Sequence, residues 1–117
     1  MDADEFKRRT KAFALRVVRL VDSLPKSRAC NVFATQLLRA GTSVGANYRA
    51  ACRARSPADF IAKMGIVEEE YDEAIYWMEL LIEAGVVKAG RVKDLMREAQ
   101  EILAMVVGSI RTARKRR

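Results

Sequence analysis

The feature that most constrains this chain is an apolar repeat at spacings of three and four residues, carried through four segments and broken three times. The first segment reads Phe6, Thr10, Phe13, Val17, Leu20 and Leu24. The second reads Phe33, Leu37, Ala40, Val44, Asn47 with Tyr48, and Ala51. The third reads Phe60, Met64, Val67, Tyr71, Ala74, Met78 and Leu81, and the fourth Val92, Leu95, Ala99, Ile102, Val106, Ile110 and Ala113. Side chains so spaced share one face of an α-helix, whereas strands need alternation of period two, which is absent. The breaks carry turn chemistry. Pro25 disfavours helical geometry at Leu24 and ends the first helix. Ser56 reads as an N-cap, with Pro57 at the first helical position and Asp59 in the first turn. Gly85 to Gly90 separates the last two helices. The expected helices are therefore roughly 4–24, 27–54, 57–84 and 90–114 of a single 117-residue domain. Short connections make consecutive helices antiparallel neighbours, so the fold class is all-α, an up-down-up-down antiparallel four-helix bundle with crossing angles of about 20°.

Composition removes several function classes. Half the residues are apolar, about a third are charged, and only two are proline, a balance that supports a packed core. The opening residues lack the apolar run of a signal peptide, and no stretch reaches the roughly 20 apolar residues that cross a bilayer. The expectation is a cytoplasmic protein with no membrane partner. Cys30 and Cys52 stand outside any CxxC pair and read as reduced, small core residues, an assisting disulfide or a reactive thiol being the alternative. The chain contains no histidine. That removes Ser-His-Asp and Cys-His nucleophilic systems, the usual zinc ligand sets, and the Glu-x-x-His pairs of di-iron bundles. Glu69/Glu73 and Glu68/Asp72 have i,i+4 spacing, which leaves only an oxygen-ligated Mg²⁺ open. No catalytic residue, cofactor or metal is expected, and the chain does not read as an enzyme.

Two features exceed what a lone bundle needs. A surface helix buries an apolar arc of roughly 100°. The third helix exceeds this, with Ile61, Ile75 and Ile82 widening one side and Trp77 and Leu80 the other. A second burial partner, another subunit, would account for it. On the second helix Cys30, Ala34, Gly41, Gly45 and Cys52 form a row of small residues. A glycine inside a helix costs about 1 kcal/mol relative to alanine, so the row predicts close approach of another helix, a weak or kinked helix being the alternative. Ser43 and Asn47, four apart beside the stripe, read as buried polar groups that fix the register of the second and third helices, or else as a pair touching a ligand.

The net charge of +7 is segregated. Residues 1–30 carry +4, 31–56 carry +4, 57–86 carry −7 and 87–117 carry +6. The acidic third helix cannot neutralise its neighbours, so a basic surplus faces solvent or an anionic partner. The candidate phosphate contacts are Arg39, Arg49, Arg53 and Arg55 on the second helix and Arg111, Arg114, Lys115, Arg116 and Arg117 at the C-terminus. Aromatic residues for stacking are scarce, so binding to RNA or DNA would rest on the backbone with little base readout. A scaffold whose partner is another protein is the alternative from a different class.

Two stretches carry a resemblance. The first is Gln36 to Ser56, containing Ser43-Val44-Gly45-Ala46-Asn47-Tyr48. The second runs from Asp59 to Leu81 and contains Tyr76-Trp77-Met78-Glu79-Leu80-Leu81. Together they resemble the bacterial four helix bundle protein family, the intervening-sequence proteins of large-subunit ribosomal RNA. The resemblance implies a four-helix fold and a ring-shaped homopentamer, with some relatives encoded inside ribosomal RNA gene insertions. More distantly, the family is similar to the accessory protein of diversity-generating retroelements, which implies RNA or DNA and a reverse transcriptase, or another protein, as partners. It implies no reaction.

Overall fold

The structure, a computed structural model, describes residues 1–116. It contains α1 (Ala3–Asp22), α2 (Arg28–Cys52), α3 (Pro57–Glu83) and α4 (Ala89–Arg116). Side-chain oxygens cap the first three: Asp2 accepts from the Glu5 amide at 2.8 Å, Ser27 from Cys30 at 3.2 Å and Ser56 from Asp59 at 3.1 Å. Each satisfies an amide that the helix itself leaves unpaired. The Asp59 carboxylate returns the favour, accepting from the Arg55 amide at 3.2 Å and from Lys63 Nζ at 3.0 Å. The Lys63 bond, then the Arg55 amide, hold the Asp59 carboxyl below its usual range.

The first three helices end one or two residues short of the expected bounds, whereas α4, Ala89–Arg116, runs past the expected 90–114 at both ends. α1 stops at Asp22 because the Ser23 amide and hydroxyl both turn back to the Leu20 carbonyl, at 3.1 and 2.7 Å. α2 stops at Cys52, where the Arg53 and Ala54 amides close on carbonyls three residues back. α3 ends on Gly85, whose φ of 75° lets the Val86 amide reach the Leu81 carbonyl at 3.0 Å.

The helices pack in chain order within a bundle of 47 × 22 × 21 Å. Contact is most extensive between α2 and α3 and least between α1 and α4, while α1 and α3, on the diagonal, meet only through side chains, Phe13 lying 5.0 Å from Tyr71 between ring centroids. The core follows the stripes: Phe13, Val17, Leu37, Val44, Tyr71, Met78, Ile102 and Val106 are among the fully buried side chains. Phe33, Asn47, Phe60 and Ala113, which the repeat also includes, sit half-buried at the margins.

Several expectations change once the helices are assembled. The row of small residues on α2 serves a helix of the same chain: a Cβ on Gly41 would stand 2.8 Å from Val17 Cγ2, and one on Gly45 3.2 Å from Thr10 Oγ1. These glycines seat α1. Cys30 is buried, but Cys52 is exposed in the last turn of α2 and does not join the core. The wide apolar arc of α3 is partly absorbed internally, since Ile61, Ile75, Trp77 and Ile82 pack against the core. Trp77 lies on Phe33 of α2 (centroids 6.1 Å apart) and donates to Glu73 at 3.3 Å, so this ring has partners within the chain. Ile66, 43% exposed, and Tyr76, 52% exposed, remain facing outward on α3.

Candidate nucleic-acid interface

Up-down-up-down order brings the start of α1, the end of α2, the start of α3 and the end of α4 to one end of the bundle. The sequence loads that end with cations. Residues 1–11, 46–63 and 105–116 carry twelve bases against four acids, while the remaining described residues carry nine bases against eleven acids. Arg49, Arg53, Arg55, Arg111, Arg114, Lys115 and Arg116 are all exposed there. Arg116 lines a shallow cleft with Pro57 and Phe60, which brings the last turn of α4 beside the first turn of α3. Two clusters far apart in sequence therefore share one end face. Arg117 lies outside the described residues.

Arg39 does not belong to this face. Its guanidinium spans two carboxylates of α3, reaching Glu70 at 3.2 Å and bonding Glu73. The Arg39 bond, with a smaller share from Trp77, holds the Glu73 carboxyl below its ordinary range, while partial burial opposes the shift. Ser43 joins the same network, donating to Glu70 at 3.1 Å. An arginine so engaged is a clamp between α2 and α3, and it offers little to a phosphate. Asn47 is half-buried and forms no side-chain hydrogen bond among the described residues, so the link between α2 and α3 at this level is made by Ser43 and Arg39.

One basic feature was missed at the sequence level. Lys7, Arg8 and Lys11 of α1 face Arg49 of α2 across a groove of about 520 Å³ with Gly45 and Ala46 in its lining. None of the four forms an ion pair among the described residues. The i,i+4 pair Lys7/Lys11 was the available signal, but only the packing of α1 on Gly45 shows what it faces. Arg9, between Arg8 and Lys11, points elsewhere: it grips Glu98 of α4 with two bonds of 3.0 and 2.6 Å. Tyr48 is no stacking platform, because it is buried and stacked on Phe6 at 4.3 Å. Burial, then contact with Cys52, pushes its phenol above the ordinary value.

Among the described residues no three His, Cys, Asp or Glu side chains gather as a metal site, and no helix is long and apolar enough to cross a membrane. With Tyr48 buried and Phe60 half-buried in the cleft beside Arg116, the described end face is chiefly a polycationic surface, suited to phosphates rather than base edges.

A family model described as 23S rRNA-intervening sequence protein matches residues 4–108. Among solved structures, the chain is similar to a protein of unknown function from the S23 ribosomal protein family of Bacteroides thetaiotaomicron. The two are 35% identical, with a TM-score of 0.87 over 95% of this chain and 99% of that one. No curated protein matches the chain significantly.

Proposed function

The chain belongs to the 23S rRNA-intervening sequence protein family, and from that premise we propose that it is a non-enzymatic, oligomeric accessory protein that binds RNA or DNA through phosphates. The observation that carries this reading is the end face, where twelve bases meet four acids and the two basic clusters of α2 and α4 come together. Of those bases, Arg9 is held by Glu98 and Lys63 by Asp59, so the surplus resides on the exposed arginines and lysines around them. In a homo-oligomer, a pentamer in the reading adopted here, each end face would be repeated around the axis, and many weak phosphate contacts would add through avidity.

Binding of this kind releases counterions. Log K should fall linearly with log salt, by about 0.7–0.9 for each phosphate neutralised. The test is fluorescence anisotropy with generic RNA and DNA across a salt series. Replacing Arg53 and Arg55, or Arg114, Lys115 and Arg116, with alanine should flatten the slope while helicity is unchanged. Sequence preference should be slight. If the assembled protein binds neither nucleic acid at low salt, the basic face docks another protein and the scaffold reading takes its place.

A further inference from the structure

We infer that the groove between α1 and α2 receives the outward ridge of α3 from a second copy of the same chain. This rests on the oligomeric part of the reading above and specifies the surfaces that meet.

The groove is cationic at its rim and small at its floor. Lys7, Arg8, Lys11 and Arg49 surround Gly45 and Ala46. The hydroxyls in its lining are committed to their own helices, Thr10 donating to the Lys7 carbonyl at 3.0 Å and Thr42 to Leu38 at 2.7 Å. Four cations that form no ion pair among the described residues, set around a floor of small residues, suit a convex ridge that carries acidic side chains.

Such a ridge exists on the same molecule. Gly65, Ile66, Glu69 and Asp72 lie along the outward side of α3, with Ile66, Glu69 and Asp72 exposed. The acids that Arg39 occupies are Glu70 and Glu73; Glu68, Glu69 and Asp72 form no ion pair among the described residues. A Cβ built on Gly65 meets nothing within 4 Å, so this stretch of the ridge stands open to a close neighbour from outside.

Heights agree as well. Ser43 bonds Glu70, and Gly45 sits on Thr10, so the α3 ridge and the groove occupy the same level of the bundle. α2 packs on both α1 and α3, which lie diagonally across the bundle and touch only through core side chains, so groove and ridge face different sides. A contact between unlike faces is head-to-tail, and repeated without a shift along the long axis it forms a ring when the rotation between copies divides a full turn. The groove cations are then neutralised between copies, which leaves Arg53, Arg55 and the last turn of α4 for an anion.

The test is size-exclusion chromatography with light scattering on the full chain, with circular dichroism to verify helicity. The wild type should be an oligomer. Lys11→Glu with Arg49→Glu should weaken assembly at least tenfold, as should Glu69→Lys with Asp72→Lys. All four together should restore it, because the attraction is re-created with reversed sign. Gly65→Leu, which has open space within the monomer, should stay helical yet fail to assemble. A monomeric wild type would overturn both this inference and the oligomeric reading. An oligomer that survives the groove reversals or Gly65→Leu would overturn the inference alone, as would a folded four-fold variant that stays monomeric.

Discussion

Gly41→Ala tests whether the seating of α1 is as tight as described. Alanine should gain about 0.8–1 kcal/mol of helix propensity over glycine. Against that, the new Cβ would lie 2.8, 3.0 and 3.1 Å from Val17 Cγ2, Cγ1 and Cβ, closer than ordinary contact on three atoms. Val17 is fully buried and β-branched, so it has one favoured rotamer in a helix and cannot swing aside. Overpacking of this kind costs about 1–3 kcal/mol, which leaves a net loss of up to about 2 kcal/mol. The control is Gly108→Ala on α4, where nothing lies within 4 Å and the propensity gain of about 1 kcal/mol should appear undiminished. Urea and thermal melts followed by circular dichroism measure both, at equal protein concentration because assembly makes melting concentration-dependent. For a domain of this size 1 kcal/mol shifts the melting temperature by about 4 °C, so the two variants should move in opposite directions. Val17→Ala should lose stability alone and lose less beside Gly41→Ala, a coupling that identifies the overlap. If Gly41→Ala is as stable as Gly108→Ala, α1 is not seated on α2 at this glycine.

Other outcomes follow from the ion pairs and the buried phenols. Arg39→Ala should lower the melting temperature slightly and leave the salt dependence of nucleic-acid binding unchanged, because its guanidinium serves Glu70 and Glu73; a flattened slope would return Arg39 to the phosphate-binding face. Tyr71 is buried, and its hydroxyl has no partner among the described residues, so Tyr71→Phe should keep or raise stability, by up to about 1 kcal/mol in denaturant melts. Burial raises the Tyr71 and Tyr48 phenols above their ordinary value of 10, so above pH 10 the unfolded chain loses protons that the native one keeps, and stability should fall as pH rises. At the acid end, Asp59 and Glu73 are held below their ordinary values of 3.8 and 4.5, so their contribution is present above those values and is lost as pH falls beneath them. Melts across pH 2–12 check both signs.

The helices and nearly all of the core were legible because a 3/4 repeat fixes which face of each helix is apolar, and Ser56-Pro57 marks a start without tertiary information. Relative height is another matter. The small-residue row on α2 announced a close neighbour, yet only assembly shows that Val17 and Thr10 of α1 fill it. Arg39 and Arg49 look alike in sequence, both on α2 and both beside the stripe. The register of α3 places two carboxylates under Arg39, whereas Arg49 faces the bases of α1. Cys52 carried the pattern of a core residue but falls in the last turn of α2, beyond the neighbours that would cover it. Composition and phase are local properties, and which charges meet is a property of helix pairs.

The narrow seam between α1 and α4 bears on how the chain reaches this fold. Each helix packs chiefly on its sequence neighbour, and across the seam Arg9 reaches Glu98 and Glu101 while Arg91 bonds Ser23. Loops between such partners are short, so little closure entropy stands between the unfolded chain and its first hairpin, and a topology this local folds quickly. The α2–α3 hairpin, with the most extensive contact, can form first and accept α1 on one side and α4 on the other, in either order. The backbone contacts thus form an open row of three hairpins that share helices around one core, and amide exchange should be slowest in the central pair α2 and α3.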